Sequence, residues 1–310
     1  MIPASFDYLR PATITEALEM ASRHENATFL AGGHALLPEW KLRHKSPSTL
    51  IDLALIAELR GIEIVGDGGA GTVVRIGAMT TSAEIEHSPA IARTAPLLPE
   101  AATVISDPLI RNRATLGGSL AEASPHGDWP AIVLAADATI DLRSRDGERS
   151  VPASDFFTQN RAGPGAATTA LGPGELLTAV TVPAAGAQAR CTYLKRMHPA
   201  SGHAMIGVAV AATFNTDETC HDCRIAITGT ATVATRAVRA ENCLTGSRLT
   251  PGNIQAAADA ANDGVAFAGD PFGSADYLAE LLPIYVNRAL TQIAALPPAP
   301  ERPPTTRQPN

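Results

Sequence analysis

Hydrophobic residues recur at helix and strand spacings through the first part of the chain. Residues 13–23 carry apolar side chains at helical spacing behind Thr13, and Glu16 stands three residues later, as in a capped helix. Short apolar runs predict strands at 27–30, 49–53, 61–65, 72–76, 139–142, 148–151 and 175–182. Strands interspersed with helices indicate a mixed α+β fold.

The segment that follows Thr81 is helical in pattern. It is interrupted by Pro89, Pro96 and Pro99, and a proline inside a helix removes a hydrogen bond. We therefore expect two or three short helices here rather than one long helix. The apolar, alanine-rich run at 130–136 predicts a further helix.

A change of composition at AAGAQA, residues 184–189, indicates a linker to a second unit. That unit has predicted strands at 190–196, 204–214 and 223–229 and predicted helices at 233–239, 252–261 and 274–296. Three antiparallel strands backed by three helices form a compact α+β domain. We thus expect a first domain at 1–183, a second at 189–296, and a proline-rich, disordered tail at 297–310.

The composition is that of a soluble globular protein. The 310 residues carry a formal net charge of −7, and 45% of them are hydrophobic. The acidic balance argues against nucleic acid or an anionic membrane as the main partner. No run reaches the roughly 18 apolar residues of a membrane span, and MIPASFDYLRPAT lacks the basic start and apolar run of a signal peptide. We expect a cytoplasmic protein.

Two Gly-Gly loops are the candidate binding features. The stretch RNRATLGGSLAEASPHGDWP, residues 111–130, contains Gly117 and Gly118 between two hydroxyl side chains. Adjacent glycines let successive amide groups converge on one point without obstruction by Cβ atoms, which suits a pyrophosphate or another anion. A second such loop, AGGHA, occupies residues 31–35, so a diphosphate could be held from both sides. The alternative is a plain glycine turn between two elements.

The four cysteines do not form a complete metal site. Cys220 and Cys223 form a CxxC motif around His221, but a structural zinc site needs a second ligand pair, and Cys191 and Cys243 do not supply one. A metal or redox role for this motif and ordinary cysteines in a reducing compartment are both open interpretations. The spacing also lacks the four-cysteine cluster of a ferredoxin. We expect no metal in this chain.

Four segments resemble the FAD-binding middle subunit of the molybdenum hydroxylases. They are FLAGGHALLPEWKLR (29–43), IGAMTTSAEIE (76–86), RNRATLGGSLAEASPHGDWPAIVLAADA (111–138) and YLKRMHPASGHAMIGVAVA (193–211). The family includes the medium subunit of carbon monoxide dehydrogenase and the flavin portion of xanthine dehydrogenase, and the resemblance runs from Phe6 to about Ala294. It implies a PCMH-type FAD-binding domain of two α/β subdomains, then a small C-terminal domain with a three-stranded antiparallel sheet and helices.

The resemblance implies that FAD binds noncovalently and that both Gly-Gly loops hold its diphosphate. The implied cofactor-binding residues are Phe29, Leu30, Ala31, Gly32, Gly33, His34, Ala35, Leu36, Ile105, Thr115, Leu116, Gly117, Gly118, Ser119, Asp128, Leu176, Tyr193 and Lys195. Asp128 is expected at a sugar or ring group, because a carboxylate would not face the diphosphate. The aromatic face of Tyr193 suits stacking on the isoalloxazine. No catalytic residue and no metal ligand are implied.

Some of these positions also have an ordinary structural interpretation. Ile105 and Leu176 would be core residues in any fold, and Asp128 could cap the helix that follows it. The chain also departs from many relatives, which have Arg and Gly-Asp-Tyr in the fourth segment, where this chain has residues 197–203. That difference lies where a flavin edge or an electron acceptor could be approached, and it leaves the acceptor open.

By resemblance, the chain is the FAD-containing electron-transfer subunit of a molybdenum-dependent oxidoreductase, in which the cofactor supplies the redox chemistry. Electrons would arrive from iron–sulfur clusters and leave to NAD, quinone or another external acceptor. The implied partners are a molybdopterin-containing large subunit and a 2Fe–2S small subunit, in a dimer of heterotrimers. Two alternatives are a stand-alone PCMH-type flavin oxidase with FAD covalently linked at His34, and a nucleotide- or anion-binding protein that has lost electron transfer.

Overall fold

The computed structural model describes residues 4–297 apart from 68, 70, 160–166, 231–232 and 270–272. Its strands are β1 (Asp7–Leu9), β2 (Ala27–Leu30), β3 (Thr49–Asp52), β4 (Ile62–Val65), β5 (Val73–Gly77), β6 (Thr139–Arg143), β7 (Glu148–Pro152), β8 (Phe157–Gln159), β9 (Ala167–Thr169), β10 (Leu176–Pro183), β11 (Ala189–Met197), β12 (Ala204–Phe214), β13 (Cys220–Thr228) and β14 (Thr235–Arg236). Its α-helices are α1 (Ile14–Arg23), α2 (Leu36–Lys41), α3 (Ser82–Glu86), α4 (Pro89–Thr94), α5 (Leu97–Ala102), α6 (Pro108–Arg111), α7 (Leu116–Glu122), α8 (Trp129–Ala135), α9 (Ala153–Phe156), α10 (Val238–Leu244), α11 (Pro251–Asp259) and α12 (Ala275–Ala295). The predicted mixture of strands and helices is confirmed.

A three-stranded parallel sheet in the order β1-β3-β2 begins the fold. Parallel strands need a crossover connection; α1 lies in the chain between β1 and β2, and α2 lies between the neighbouring strands β2 and β3. The helix begins as its sequence predicts, because the Thr13 hydroxyl accepts a hydrogen bond from the Glu16 amide. Its buried side chains are Ile14, Ala17 and Leu18, which all lie on one helical face.

A five-stranded antiparallel sheet in the order β4-β5-β10-β6-β7 follows, with helices α3 to α8 in the chain between β5 and β6. The prolines divide the first part of that helical stretch into α3, α4 and α5, as expected. Pro89 and Pro108 occupy the first positions of α4 and α6. A residue there has no intrahelical acceptor for its N–H, so a proline costs no hydrogen bond.

The last sheet, in the order β11-β12-β13-β14, is antiparallel. The three expected strands are present, and β14 adds a short fourth strand. The prediction of a helix at 233–239 is wrong, because β14 occupies the middle of this range and α10 begins only at Val238. The buried Glu241 carboxylate accepts hydrogen bonds from the Ile225 amide on β13 and from Arg236 on β14. This long-range contact holds the segment as a strand and is invisible to local periodicity.

The last sheet is held against the rest of the chain by backbone contacts at the loop before α8. The Thr228 hydroxyl lies 2.7 Å from the Gly127 carbonyl oxygen, and the Gly229 amide donates to the Pro125 carbonyl at 2.8 Å. The Ala204 amide donates to the His126 carbonyl at 3.2 Å. α8 packs on β12 and β13. These contacts fix the loop before α8 against both long strands.

The C-terminal helix α12 covers the last sheet. It is 21 residues long, and its buried residues are Leu278, Leu282, Val286, Ala289, Leu290 and Ile293. Among the described residues, no helix is both long and apolar enough to cross a membrane. The expected disordered tail at 297–310 lies outside the described residues from residue 298 onward.

Replacing Glu241 should destabilise the last sheet. Glu241→Ala removes a carboxylate whose side chain is 5% exposed and leaves Arg236 and a strand amide without their acceptor. We expect the free energy of unfolding to fall by about 3 kcal/mol, as measured by urea denaturation. Arg239→Ala, on the same helix but in an exposed pair at 3.9 Å, should change it by no more than about 0.5 kcal/mol. Equal effects would contradict the role given to Glu241.

Candidate functional site

A cavity of about 590 Å³ lies where the two Gly-Gly loops meet. The predicted site residues that line it are Phe29, Ala31, Gly32, Gly33, His34, Ala35, Leu36, Ile105, Thr115, Gly117, Gly118, Ser119, Asp128 and Leu176. These residues come from five separate stretches of the chain, and the structure brings them together around one cavity. The cavity is also lined by residues 201–203 of the loop between β11 and β12, so the last sheet contributes to it as well.

The first loop presents free backbone donors. It follows β2 directly, and Gly33 has a φ of 79°, a left-handed conformation that favours glycine. At the start of α2, the Leu37 amide donates a hydrogen bond to the Gly33 carbonyl. Within the part of the chain that the structure describes, the amides of Gly33, His34 and Ala35 have no hydrogen-bond acceptor. A cluster of free amides beside a cavity suits an anionic group.

The second loop is built differently from the expected tight turn. Thr115 is the N-cap of α7, and its hydroxyl accepts from the Gly118 amide at 3.2 Å. The Gly117 amide donates to the Ala78 carbonyl at 2.8 Å, and the Leu116 amide donates to the Thr80 carbonyl. These amides already have acceptors inside the protein, so the contact of this loop with an anion stays a prediction and does not draw on unpaired amides.

The glycines of the two loops are required by packing. A Cβ atom on Gly32 would lie 2.1 Å from the carbonyl oxygen of Arg113, which immediately precedes the second loop. A Cβ atom on Gly117 would lie 2.5 Å from the Cβ of Ala78. Distances this short are forbidden to real side chains, so the two loops approach each other backbone to backbone. The glycines thus build the cavity wall as well as leaving space for a ligand.

Asp128 lies at the start of α8 in a buried, fully paired position. One carboxylate oxygen accepts from the Tyr193 hydroxyl at 2.6 Å, and the other accepts from the Lys195 ammonium at 2.9 Å. Lys195 Nζ also lies 3.3 Å from the Val104 carbonyl oxygen. Burial raises the pKa of Asp128, while the neighbouring Lys195 charge and the Tyr193 hydrogen bond act in the opposite direction. The side chain does not cap its helix.

Four predicted residues lie outside the cavity lining. Tyr193 is 4% exposed and packs in the main hydrophobic core, so it does not present the ring face expected for stacking. Lys195 is buried behind Asp128. Leu116 is fully buried, and Leu30 packs beside Trp40. These residues support the wall from behind.

Several lining residues were not among the predicted set. They include Lys45, Leu53, Ala78, Met79, Ser106, Glu122, Ser124, Leu171, Glu175, Leu177, Ser201, Gly202 and His203. Residues 201–203 fall in the segment where the chain departs from many relatives. Burial lowers the pKa of His203, although the Asp128 charge acts in the opposite direction. For Lys45 and Glu122 the local sequence carries no signal, because the pair is 77 residues apart.

The two cysteines of the CxxC motif lie far from this chemistry, in the core of the last sheet. Cys220 and Cys223 are both buried on β13. A strand would normally point residues three apart to opposite faces, but a bulge near Cys220 puts both side chains in one core. No group of three or more possible metal ligands occurs among the described residues.

The fold and cavity define a nucleotide-cofactor-binding protein in which a second α+β unit closes a glycine-loop site. Residues 4–185 match the FAD binding domain in molybdopterin dehydrogenase, and residues 192–293 match the CO dehydrogenase flavoprotein C-terminal domain. The chain therefore belongs to the FAD-binding medium-subunit family of molybdenum hydroxylases. It is an FAD-containing oxidoreductase subunit, and the free amides and close-packed glycines of its cavity fit that cofactor.

The relatives match over nearly the whole chain. The carbon monoxide dehydrogenase medium chain of Hydrogenophaga pseudoflava is 38% identical, with 94% of this chain and 97% of the relative covered. The nicotine 6-hydroxylase medium subunit of Paenarthrobacter nicotinovorans is 34% identical, with 93% and 97% covered. The solved carbon monoxide dehydrogenase from Hydrogenophaga pseudoflava superposes with a TM-score of 0.88, covering 95% of this chain and 99% of that one.

A methyl group on Gly32 should separate the two loops. We expect Gly32→Ala to lower the free energy of unfolding by about 1–3 kcal/mol, because the Arg113 carbonyl must move, and to reduce the FAD content of the purified protein. Gly186→Ala is the matched control, since a Cβ there meets nothing within 4 Å. Thermal unfolding and the ratio of flavin to protein absorbance measure both effects. A Gly32→Ala protein with wild-type flavin content would contradict the packing argument.

Removing Lys195 should make stability depend on pH through Asp128. In Lys195→Met the buried carboxylate loses its cation, and we expect a loss of about 3–5 kcal/mol at neutral pH. The pKa of Asp128 then rises further above its unfolded-state value. The deficit from this charge is absent where Asp128 is protonated in both folded proteins, and it grows as pH rises through the folded-state pKa of Asp128 in the wild type, which burial holds above its ordinary value.

Denaturation of wild type and Lys195→Met between acidic and mildly alkaline pH tests this. The double variant with Asp128→Asn should recover stability at high pH, because no buried charge remains. A deficit that does not change with pH would show that Lys195 acts only by packing.

Proposed function

We propose that the chain takes electrons from iron–sulfur clusters of a partner subunit and passes them to an external acceptor such as NAD or a quinone. The cavity between the first-loop amides and residues 201–203 carries this proposal, because it is the site that the family's cofactor would occupy. When bound, FAD supplies the two-electron and one-electron redox chemistry. We further propose that the flavin domain spans 1–183 and the C-terminal domain spans 189–296.

The residues of this chain bind, orient and shield the cofactor. We propose that the amides of Gly33, His34 and Ala35 hold the diphosphate. The Thr115 end of α7 would form the opposite wall, and its amides would not bind the diphosphate because they are already paired. The remaining proposed contacts are Phe29, Ala31, Gly32, Leu36, Gly117, Gly118, Ser119, Ile105, Asp128 and Leu176. Tyr193 and Lys195 act through Asp128, whose two carboxylate oxygens they fix in place.

The relatives' names support the proposal about partners. Those names describe medium chains or subunits of multi-subunit dehydrogenases and hydroxylases. We propose that this chain likewise assembles with a molybdopterin-containing large subunit and a 2Fe–2S small subunit, as a dimer of heterotrimers. The relatives are named for carbon monoxide, nicotine and 6-hydroxypseudooxynicotine. Because the organic or gaseous substrate would react at the molybdenum centre, this chain does not select it.

The attachment of FAD distinguishes the main proposal from a covalent flavin oxidase. His34 lines the cavity, and its Nδ1 atom lies 3.1 Å from the Gly32 carbonyl oxygen. A covalent bond to His34 would make it indispensable for flavin retention. Under the proposed function, His34 contributes a backbone amide and its side chain is replaceable.

The absorbance spectrum before and after acid precipitation distinguishes noncovalent FAD from FAD that is covalently bound at His34. We expect the purified chain to show the near-ultraviolet and blue bands of flavin and to release all of it to the acid supernatant, as expected for a noncovalent cofactor. His34→Gln should keep most of its flavin. Colour retained in the acid pellet, and lost in His34→Gln, would establish covalent attachment. A colourless protein that FAD cannot reconstitute, even with its partner subunits present, would contradict both.

A further inference from the structure

An ion pair between Lys45 and Glu122 closes one side of the cavity. The Lys45 ammonium lies 3.0 Å and 3.2 Å from the two carboxylate oxygens of Glu122. Both residues line the cavity. Their side chains are 47% and 29% exposed, so the pair borders the cavity on one side and solvent on the other.

Two short helices connect the Gly-Gly loops to this ion pair. α2 begins directly after the first loop, and beyond its end the Lys45 amide donates to the Glu39 carbonyl at 3.3 Å. α7 begins after Thr115 and ends at Glu122. At 1.5 Å per residue these helices are roughly 9–11 Å long. Lys45 and the two loops therefore line the same cavity, so the ammonium and an anion at the loops would share it.

Lys45 is the one lysine or arginine among the described residues that line the cavity. The lining carboxylates are Glu39, Glu122, Asp128 and Glu175. Three of them are paired with a basic residue outside the lining: Glu39 contacts His44 at 3.1 Å, Asp128 contacts Lys195 at 2.9 Å, and Glu175 contacts Arg149 at 2.7 Å. Lys45 is thus the permanent cation of the wall that an anionic ligand can reach.

We propose that Lys45 recognises the phosphate groups of the flavin cofactor and that Glu122 is its competing counter-ion. On binding, the ammonium exchanges the Glu122 carboxylate for phosphate oxygens, and this exchange makes the cavity prefer FAD to unphosphorylated riboflavin. A diphosphate brought beside several carboxylates is repelled unless a cation lies with it. The inference rests on the proposed position of the diphosphate at the first loop.

A purely mechanical role makes a different prediction. If the ion pair only straps α2 to α7, then removing either partner opens the wall and weakens every flavin alike. If Lys45 recognises phosphate, its removal weakens phosphorylated flavins selectively, whereas neutralising Glu122 frees Lys45 and strengthens their binding. If Lys45 recognises phosphate, the Lys45 and Glu122 variants change FAD affinity in opposite directions. If the pair is only a mechanical link, both variants lower it.

The test is a titration of the purified full chain, stripped of cofactor, with FAD, FMN and riboflavin, followed by flavin fluorescence. For Lys45→Met we expect the Kd for FAD to rise about tenfold, with a smaller rise for FMN and no change for riboflavin. For Glu122→Gln we expect the Kd for FAD to fall about threefold and riboflavin to be unaffected. The salt dependence of FAD binding should weaken in Lys45→Met. Lys41→Met, an exposed lysine on α2 outside the lining, is the matched control.

Three outcomes would overturn the proposal. Equal weakening of FAD and riboflavin in both variants would establish the strap. A Lys45→Met protein that binds FAD as tightly as wild type would remove Lys45 from phosphate recognition while leaving FAD as the cofactor. A wild-type chain that binds none of the three flavins would overturn the proposed site as well, and that result is distinguishable because it appears before any substitution.

Discussion

The backbone contact between the two Gly-Gly loops is the constraint on which the cavity depends. Gly32 approaches the Arg113 carbonyl so closely that a Cβ atom would lie 2.1 Å from it, and Gly117 approaches Ala78 in the same way. A larger residue at Gly32 would force the first loop away from the segment before α7 and change the shape of the cavity wall. The contact also changes the role of the second loop. Its amides are paired internally, so it shapes the site while the first loop retains free donors.

The C-terminal unit completes the site through a buried polar cluster. Asp128, which belongs to the flavin-binding part of the chain, takes both of its hydrogen bonds from β11, through Tyr193 and Lys195. Burying this charge costs free energy, and the two donors offset that cost only while β11 stays packed beside Asp128. The same packing brings residues 201–203 to the cavity. Cofactor binding and the joining of the two units therefore depend on one set of contacts.

The fold is shared with proteins whose named substrates differ. The solved carbon monoxide dehydrogenase matches with a TM-score of 0.88, and the quinoline 2-oxidoreductase from Pseudomonas putida 86 matches with 0.85 at 28% identity. A common fold with different substrates is expected when the chain positions a cofactor and the substrate reacts elsewhere. In this chain, the described residues that line the cavity include one lysine and four carboxylates.

The sequence by itself determined the fold class, the capped first helix, the proline-divided helices and, through its four resembling segments, the cofactor and part of the cavity lining. These features depend on local periodicity, on capping chemistry and on short motifs, which are all readable along the chain. Only the tertiary structure decided that the Gly117 and Gly118 amides are occupied, that Tyr193 is buried, that residues 235–236 form a strand, and that Lys45 meets Glu122. Apart from the Gly118 amide, which pairs with the nearby Thr115 hydroxyl, these features depend on partners on other elements of the fold, and no local pattern records which atom will satisfy a donor or neutralise a charge.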